Sequence, residues 1–138
     1  YLGTMTLRDT ELKAIVSPRP KTFAGPVAVL VDGLSMSCAE VLAGGLQDLG
    51  RARVFGTRTA GMVLGSSIEK LPSGDGFQYA FAGYVSRGGR KLEGTGVIPD
   101  VVVPPERAAL LAGGDPALDA AVLWILNPAG EAGEKESR

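Results

Sequence analysis

The stretch Val31-Asp32-Gly33-Leu34-Ser35-Met36-Ser37-Cys38-Ala39-Glu40 gathers the groups of this chain best placed to do chemistry. An apolar strand run ends at Asp32-Gly33, and a hydroxyl residue then stands where a helix begins. The free backbone N–H groups and positive dipole end of a helix start can stabilise an oxyanion forming beside a serine. Ser37 is therefore the candidate nucleophile for acyl transfer, with the Cys38 backbone N–H as the candidate oxyanion donor. The same residues fit S-x-x-E, a capping box in which Ser37 and Glu40 satisfy each other's backbone donors without any chemistry. The two roles can coexist, with Ser35 as the cap while Ser37 faces a cleft. Cys38 also fits a reactive thiol at a helix start. A small buried cysteine is commoner, and burial is the expectation here.

A serine nucleophile needs a base, and the composition restricts where one could come from. The chain has no histidine and one cysteine. No complete Ser-His-Asp or Cys-His triad, histidine metal site, disulfide or multi-cysteine zinc site can form within it, and no cofactor or metal is expected. A net charge of −1, with both signs interspersed, leaves no footprint for nucleic acid or anionic lipid. No apolar run approaches the roughly 20 residues of a membrane-spanning helix, and the N-terminus lacks a signal-peptide pattern. With 138 residues, 45% hydrophobic and 21% charged, the chain fits one globular domain.

The elements that must position Ser37 follow from pattern. Residues 4–8 and 11–16 read as short strands around a turn at Asp9-Thr10, and 17–26 as a Pro- and Gly-rich loop. Val27 to Val31 is a continuous apolar run, as in parallel strands buried on both faces. A helix over about 38–49 would bury the stripe Val41, Leu42, Leu46 and Leu49, with Gly50 as its C-cap. Residues 53–56 return as a strand and complete a βαβ unit. Gly44-Gly45 in mid-helix implies close packing on a neighbouring strand or a second subunit, since each costs about 1 kcal/mol against alanine. Residues 66–71, 76–86 and 89–93 read as antiparallel strands, and 101–103 as a short strand stopped by Pro104-Pro105. Residues 105–112 and 115–126 read as helices, the second capped by Asp115 with proline following. The composition from Asn127 predicts a flexible tail, giving a domain over 1–126 and a tail over 127–138.

The run from Pro26 to Gly61 resembles the core of the carboxyl-terminal-processing (tail-specific) proteases, peptidase family S41. In that family a strand leads into an S-A-S-A-S-E helix, then Q-D, G-R-A and V-G-x-x-T-x-G. Here stand Ser35-Met36-Ser37-Cys38-Ala39-Glu40, Gln47-Asp48, Gly50-Arg51-Ala52 and Gly56-Thr57-Arg58-Thr59-Ala60-Gly61. Leu92-Glu93-Gly94-Thr95-Gly96-Val97-Ile98-Pro99-Asp100 is similar to the family's Q-G-x-G-I-x-P-D segment. The resemblance covers about residues 2–104. It implies an α/β fold, a ClpP/crotonase-like core of ββα units with a mixed sheet, and a serine peptidase acting on unfolded or C-terminally exposed polypeptides. It places the nucleophile at Ser37 and suggests a cell-envelope or periplasmic location.

Two positions depart from the family pattern. The lysine that serves as base after the T-x-G glycine is replaced by Met62, whose thioether takes no proton. Lys70 and Lys91 lie in the later strand region, where surface charge is the ordinary role. Glu93 stands where lysine-dependent members carry glutamine. The tricorn-like branch lacks the lysine, uses a histidine base, and has a glutamate before a similar G-V-x-P-D segment. By that resemblance Glu93 would orient a histidine supplied from outside this chain, whereas the residue alone also fits a surface carboxylate.

The resemblance also implies an upstream D-L-R-x-N-x-G-G segment and a PDZ-like module that these residues do not contain. The chain is thus expected to be the C-terminal part of a catalytic domain, inactive alone, with exposed apolar sheet surface that favours self-association. Two other functions share the core. One is a non-catalytic ligand-binding module, as in the retinoid-binding relatives, which a cleft lined by Met62, Val63, Leu64 and Phe77 would favour. The other is a crotonase-type acyl-CoA enzyme. Fold does not decide between them.

Overall fold

In the computed structural model, which describes residues 1–17 and 19–127, the chain opens with the expected hairpin of β1 (Gly3–Thr6) and β2 (Glu11–Lys13). The strands run antiparallel, and Leu7 N–H closes the turn on Thr10 C=O at 2.8 Å. After an irregular stretch come β3 (Ala28–Val31), α1 (Cys38–Asp48) and β4 (Arg53–Gly56), with β3 and β4 parallel. This is the anticipated βαβ unit. Next come β5 (Gly65–Lys70) and β6 (Gly76–Ser86), an antiparallel pair, then β7 (Val101–Val102) and the helices α2 (Arg107–Leu111) and α3 (Pro116–Leu126). Asp115 caps α3 by accepting the Ala117 and Leu118 N–H groups.

The fold is mixed α/β, and its two kinds of strand pairing are divided between two sheets. One is antiparallel in the order β2-β1-β6-β5; the other is parallel in the order β3-β4-β7. The core between them contains Val31, Ala43, Val54, Val63, Tyr84, Leu92 and Val97, so both sheets, α1 and two loops contribute. Helix α3 covers β3 and β4, with Trp124 against Phe55 at 5.7 Å between ring centroids.

Three sequence expectations are corrected. Strand β3 is not buried on both faces: it is an edge strand, and Leu30 is 42% exposed. The buried stripe of α1 is Glu40, Ala43, Gly44 and Gly45, while Leu42 and Leu49 are exposed. Close approach selects this face. A Cβ on Gly45 would lie 2.5 Å from the Leu2 side chain, and one on Gly44 would lie 3.1 Å from Leu92. The helix ends where expected, but its C-cap is Leu49 rather than Gly50, which stands one residue beyond at φ 60° with Arg51 N–H returning to Leu46 C=O. Finally, residues 89–93 form no strand. Only Lys91 bridges Val85, because the chain turns at Ser86–Arg90 and again where the Thr95 and Gly96 N–H groups bond Leu92 C=O. The predicted tail lies outside the described residues apart from Asn127.

Candidate active site

Ser37 occupies the elbow between β3 and α1 and is itself the N-cap, so Ser35 is not. Ser35 instead closes the preceding turn, where Asp32 Oδ1 accepts the Leu34 N–H, Ser35 N–H and Ser35 hydroxyl. Ser37 has φ 58° and ψ −124°, and among the described residues it alone has positive φ without being glycine. Such a backbone costs on the order of 1–3 kcal/mol and persists only where its surroundings over-determine it. The residue is exposed, as are Met36 and Cys38 on either side. The expected burial of Cys38 is therefore wrong: it lies about 200° around the helix from buried Glu40 and faces away from the core. Its backbone N–H has no acceptor among the described residues.

What over-determines the elbow is a junction of three segments: 35–40, 59–64 and 92–97. Ser37 N–H donates to Met62 C=O at 2.9 Å, and Ala60 N–H to Ser35 C=O at 3.0 Å. Gly94 N–H donates to Gly61 C=O at 2.8 Å, and Thr59 N–H to Val97 C=O at 3.1 Å. Gly61 and Gly96 are left-handed at the contact, where a Cβ on Gly96 would stand 2.5 Å from Thr59 C=O.

Glu40 sits at the centre of this junction, 0% exposed. Its Oε1 accepts the Thr59 hydroxyl at 2.5 Å and the Gly61 N–H at 2.7 Å. Its Oε2 accepts the Met62 N–H at 2.8 Å and the Ser37 N–H at 3.1 Å. The glutamate arm of the capping box is thus real, but it accounts for only one of these four donors. The Thr59 hydroxyl also accepts Val97 N–H at 2.7 Å, which carries the network into the third segment. Sequence reasoning missed Glu40 and Thr59 as site residues. The available signal was a glutamate in register with small buried residues at i+3 and i+4, Ala43 and Gly44.

Glu93 stands one step further along, where its Oε2 accepts Val63 N–H at 2.8 Å and Leu64 N–H at 3.1 Å. It is a half-buried brace on the segment carrying Met62, and its Oε1 has no hydrogen bond among the described residues. The Met62 side chain is 58% exposed, directly beyond the backbone that pairs with Ser37. Lys70 is exposed at the far end of β5, about 16 Å along the strand from Gly65, and Lys91 is exposed at its isolated bridge to Val85. The envisaged cleft of Met62, Val63, Leu64 and Phe77 is not formed. Val63 is in the core, and Phe77 lies near the tip of the β5–β6 hairpin, opposite Glu69.

The remaining motif residues brace the scaffold. Gln47 Nε2 donates to Ile98 C=O and Asp100 Oδ1, both at 2.9 Å, while Asp100 Oδ2 accepts Val54 N–H at 2.7 Å. Asp48 pairs with Arg90 at 2.6 Å and accepts Gly88 N–H at 2.7 Å. Burial works against its charge. Hydrogen bonds from Ser86, Gly88 and Arg90, with the Arg90 charge, outweigh this and hold the carboxyl below its ordinary range.

This scaffold is shared with known peptidases. The crystal structure of mature CPAF matches with a TM-score of 0.72 at 27% identity, over 82% of this chain and 23% of that one. The tricorn protease matches in fold with a TM-score of 0.67 at 23% identity, over 88% of this chain and 13% of that one. The chain belongs to peptidase family S41, whose model matches residues 4–103. A carboxyl-terminal-processing protease of a Picosynechococcus species is 41% identical over 88 residues, which cover 64% of this chain and 21% of that protein. The chain spans about a fifth of the curated relatives it matches.

Proposed function

We propose that the protein is a serine-type peptidase that cuts unfolded or C-terminally exposed polypeptides through an acyl-enzyme at Ser37. The single observation that carries this reading is the exposed serine held in a left-handed conformation at a strand-to-helix elbow. Ser37 Oγ attacks the scissile carbonyl, and the Cys38 N–H donates to the oxyanion that forms. The proton from Oγ passes to a base and then to the departing amine; water later releases the acyl group. Met62 takes no proton and the chain has no histidine, so in this reading the base is one supplied from outside this chain. Glu93, with Oε1 unoccupied beside the Met62 segment, orients it. The 41% identity to a carboxyl-terminal-processing protease supports the substrate class.

The test is cleavage of an unfolded polypeptide with a free C-terminus by the full-length protein. Ser37→Ala should abolish turnover in a protein that still folds, and Glu93→Gln should lower kcat about tenfold or more. An unchanged turnover number in Glu93→Gln would remove Glu93 from the mechanism. Cleavage that survives Ser37→Ala would remove Ser37.

A further inference from the structure

We propose that Glu40 is a positioning residue for the reaction at Ser37, acting through the backbones of Ser37 and Met62 rather than on substrate. This rests on the reading of Ser37 as nucleophile and adds a residue to it. A glutamate at the third position of a helix needs to reach only the N-cap N–H to complete a capping box. Glu40 also reaches Thr59, Gly61 and Met62, so three of its four donors belong to the facing loop. These donors take up the acceptor sites of both carboxylate oxygens. A buried carboxylate is poor material for stability alone, since an apolar side chain of similar volume often does as well. It does hold two backbones in one relative geometry. Ser37 N–H is shared between Glu40 Oε2 and Met62 C=O, while Met62 N–H returns to the same Oε2. The clasp fixes the amide of the strained serine, and with it the direction of the following Cys38 N–H. Thr59 passes the constraint on to Val97.

Glu40→Gln is a sharp probe of this arrangement. Whichever way its amide turns, the NH2 group meets a backbone donor, Gly61 N–H on one side and those of Ser37 and Met62 on the other. In the full-length enzyme, the rate of fluorophosphonate labelling at Ser37 should fall about 100-fold in this variant, as for a reacting group displaced by about 1 Å. For peptide cleavage, kcat should fall with KM little changed. Hydrogen exchange should lose protection at the Ser37, Gly61 and Met62 amides while β1 and β6 keep theirs. Thr59→Ser, which keeps the hydroxyl, should label within about threefold of wild type, whereas Thr59→Val should be slower by about tenfold or more.

A folded Glu40→Gln enzyme that labels at the wild-type rate overturns the proposal and leaves Ser37 in place. If Glu40→Gln does not fold, equal labelling of folded Thr59→Val and Thr59→Ser overturns it instead. A loss of exchange protection spread over the whole chain makes Glu40 merely structural and also overturns it. Failure of wild-type enzyme to label at Ser37 removes the nucleophile reading, and the positioning role falls with it.

Discussion

The junction of residues 35–40, 59–64 and 92–97 and the ribbon of residues 66–80 adjoin in the chain, yet different forces hold them. At the junction, a wholly buried carboxylate, a buried threonine and three positive-φ glycines at 61, 94 and 96 knit segments distant in sequence. The ribbon is held by its own cross-strand ladder, from Ser66 opposite Ala80 to Lys70 opposite Gly76. Ile68 is 69% exposed and Phe77 51%. The strand β6 crosses from one regime to the other at the irregularity beside Gly65-Ser66: beyond it Ala82, Tyr84 and Ser86 are buried. Order at the ribbon is local and tolerant of change, whereas order at the junction depends on every partner being present.

That contrast can be broken or sharpened by substitution. The largest effect on stability is expected at Leu92, buried beneath the junction. Leu92→Ala should cost about 3 kcal/mol, read by chemical denaturation. Asp48→Asn removes the charge and one of the two acceptors that hold Gly88 and Arg90 to α1, and should cost about 2 kcal/mol near neutral pH. Because the folded carboxyl lies below its ordinary value of 3.8, its contribution is complete above that value and is lost as pH falls through the lowered one. Asp48→Asn should therefore flatten the acid limb of the stability–pH curve. A variant that kept the wild-type slope would show that the pairing does not stabilise the fold. On the ribbon, Ile68→Ala should change stability by less than about 1 kcal/mol. A loss comparable to that of Leu92→Ala would mean the ribbon is covered in solution. The smallest effect is expected from Met62→Ala, which leaves the backbone pairing with Ser37 intact. Its fluorophosphonate labelling rate should stay within about twofold of wild type.

The βαβ unit and the turn before Ser37 were legible in the sequence because local pattern carries them, and Gly44-Gly45 signalled a close approach without showing that distant Leu2 and Leu92 make it. The motif blocks also carried the family. The stripe of α1 was misread because hydrophobicity favours Leu42 and Leu49, whereas backbone approach selects Ala43, Gly44 and Gly45. The role of Glu40 was half visible: the capping box shows its arm to Ser37, but the other three donors come from a loop whose placement is tertiary. Residues 89–93 read as a strand set off by Gly88-Gly89, yet the Ser86–Arg90 turn and the left-handed glycines at 94 and 96 redirect them into the junction. A local pattern cannot register such competition.

The most direct test of the central claim is to treat the folded full-length protein with a fluorophosphonate probe and map adducts by mass spectrometry. A single adduct on Ser37, absent from Ser37→Ala, is the predicted result, and it would make the base the next residue to find. No adduct, or one on another serine, would contradict an activated nucleophile at the elbow and favour a binding module on a peptidase scaffold.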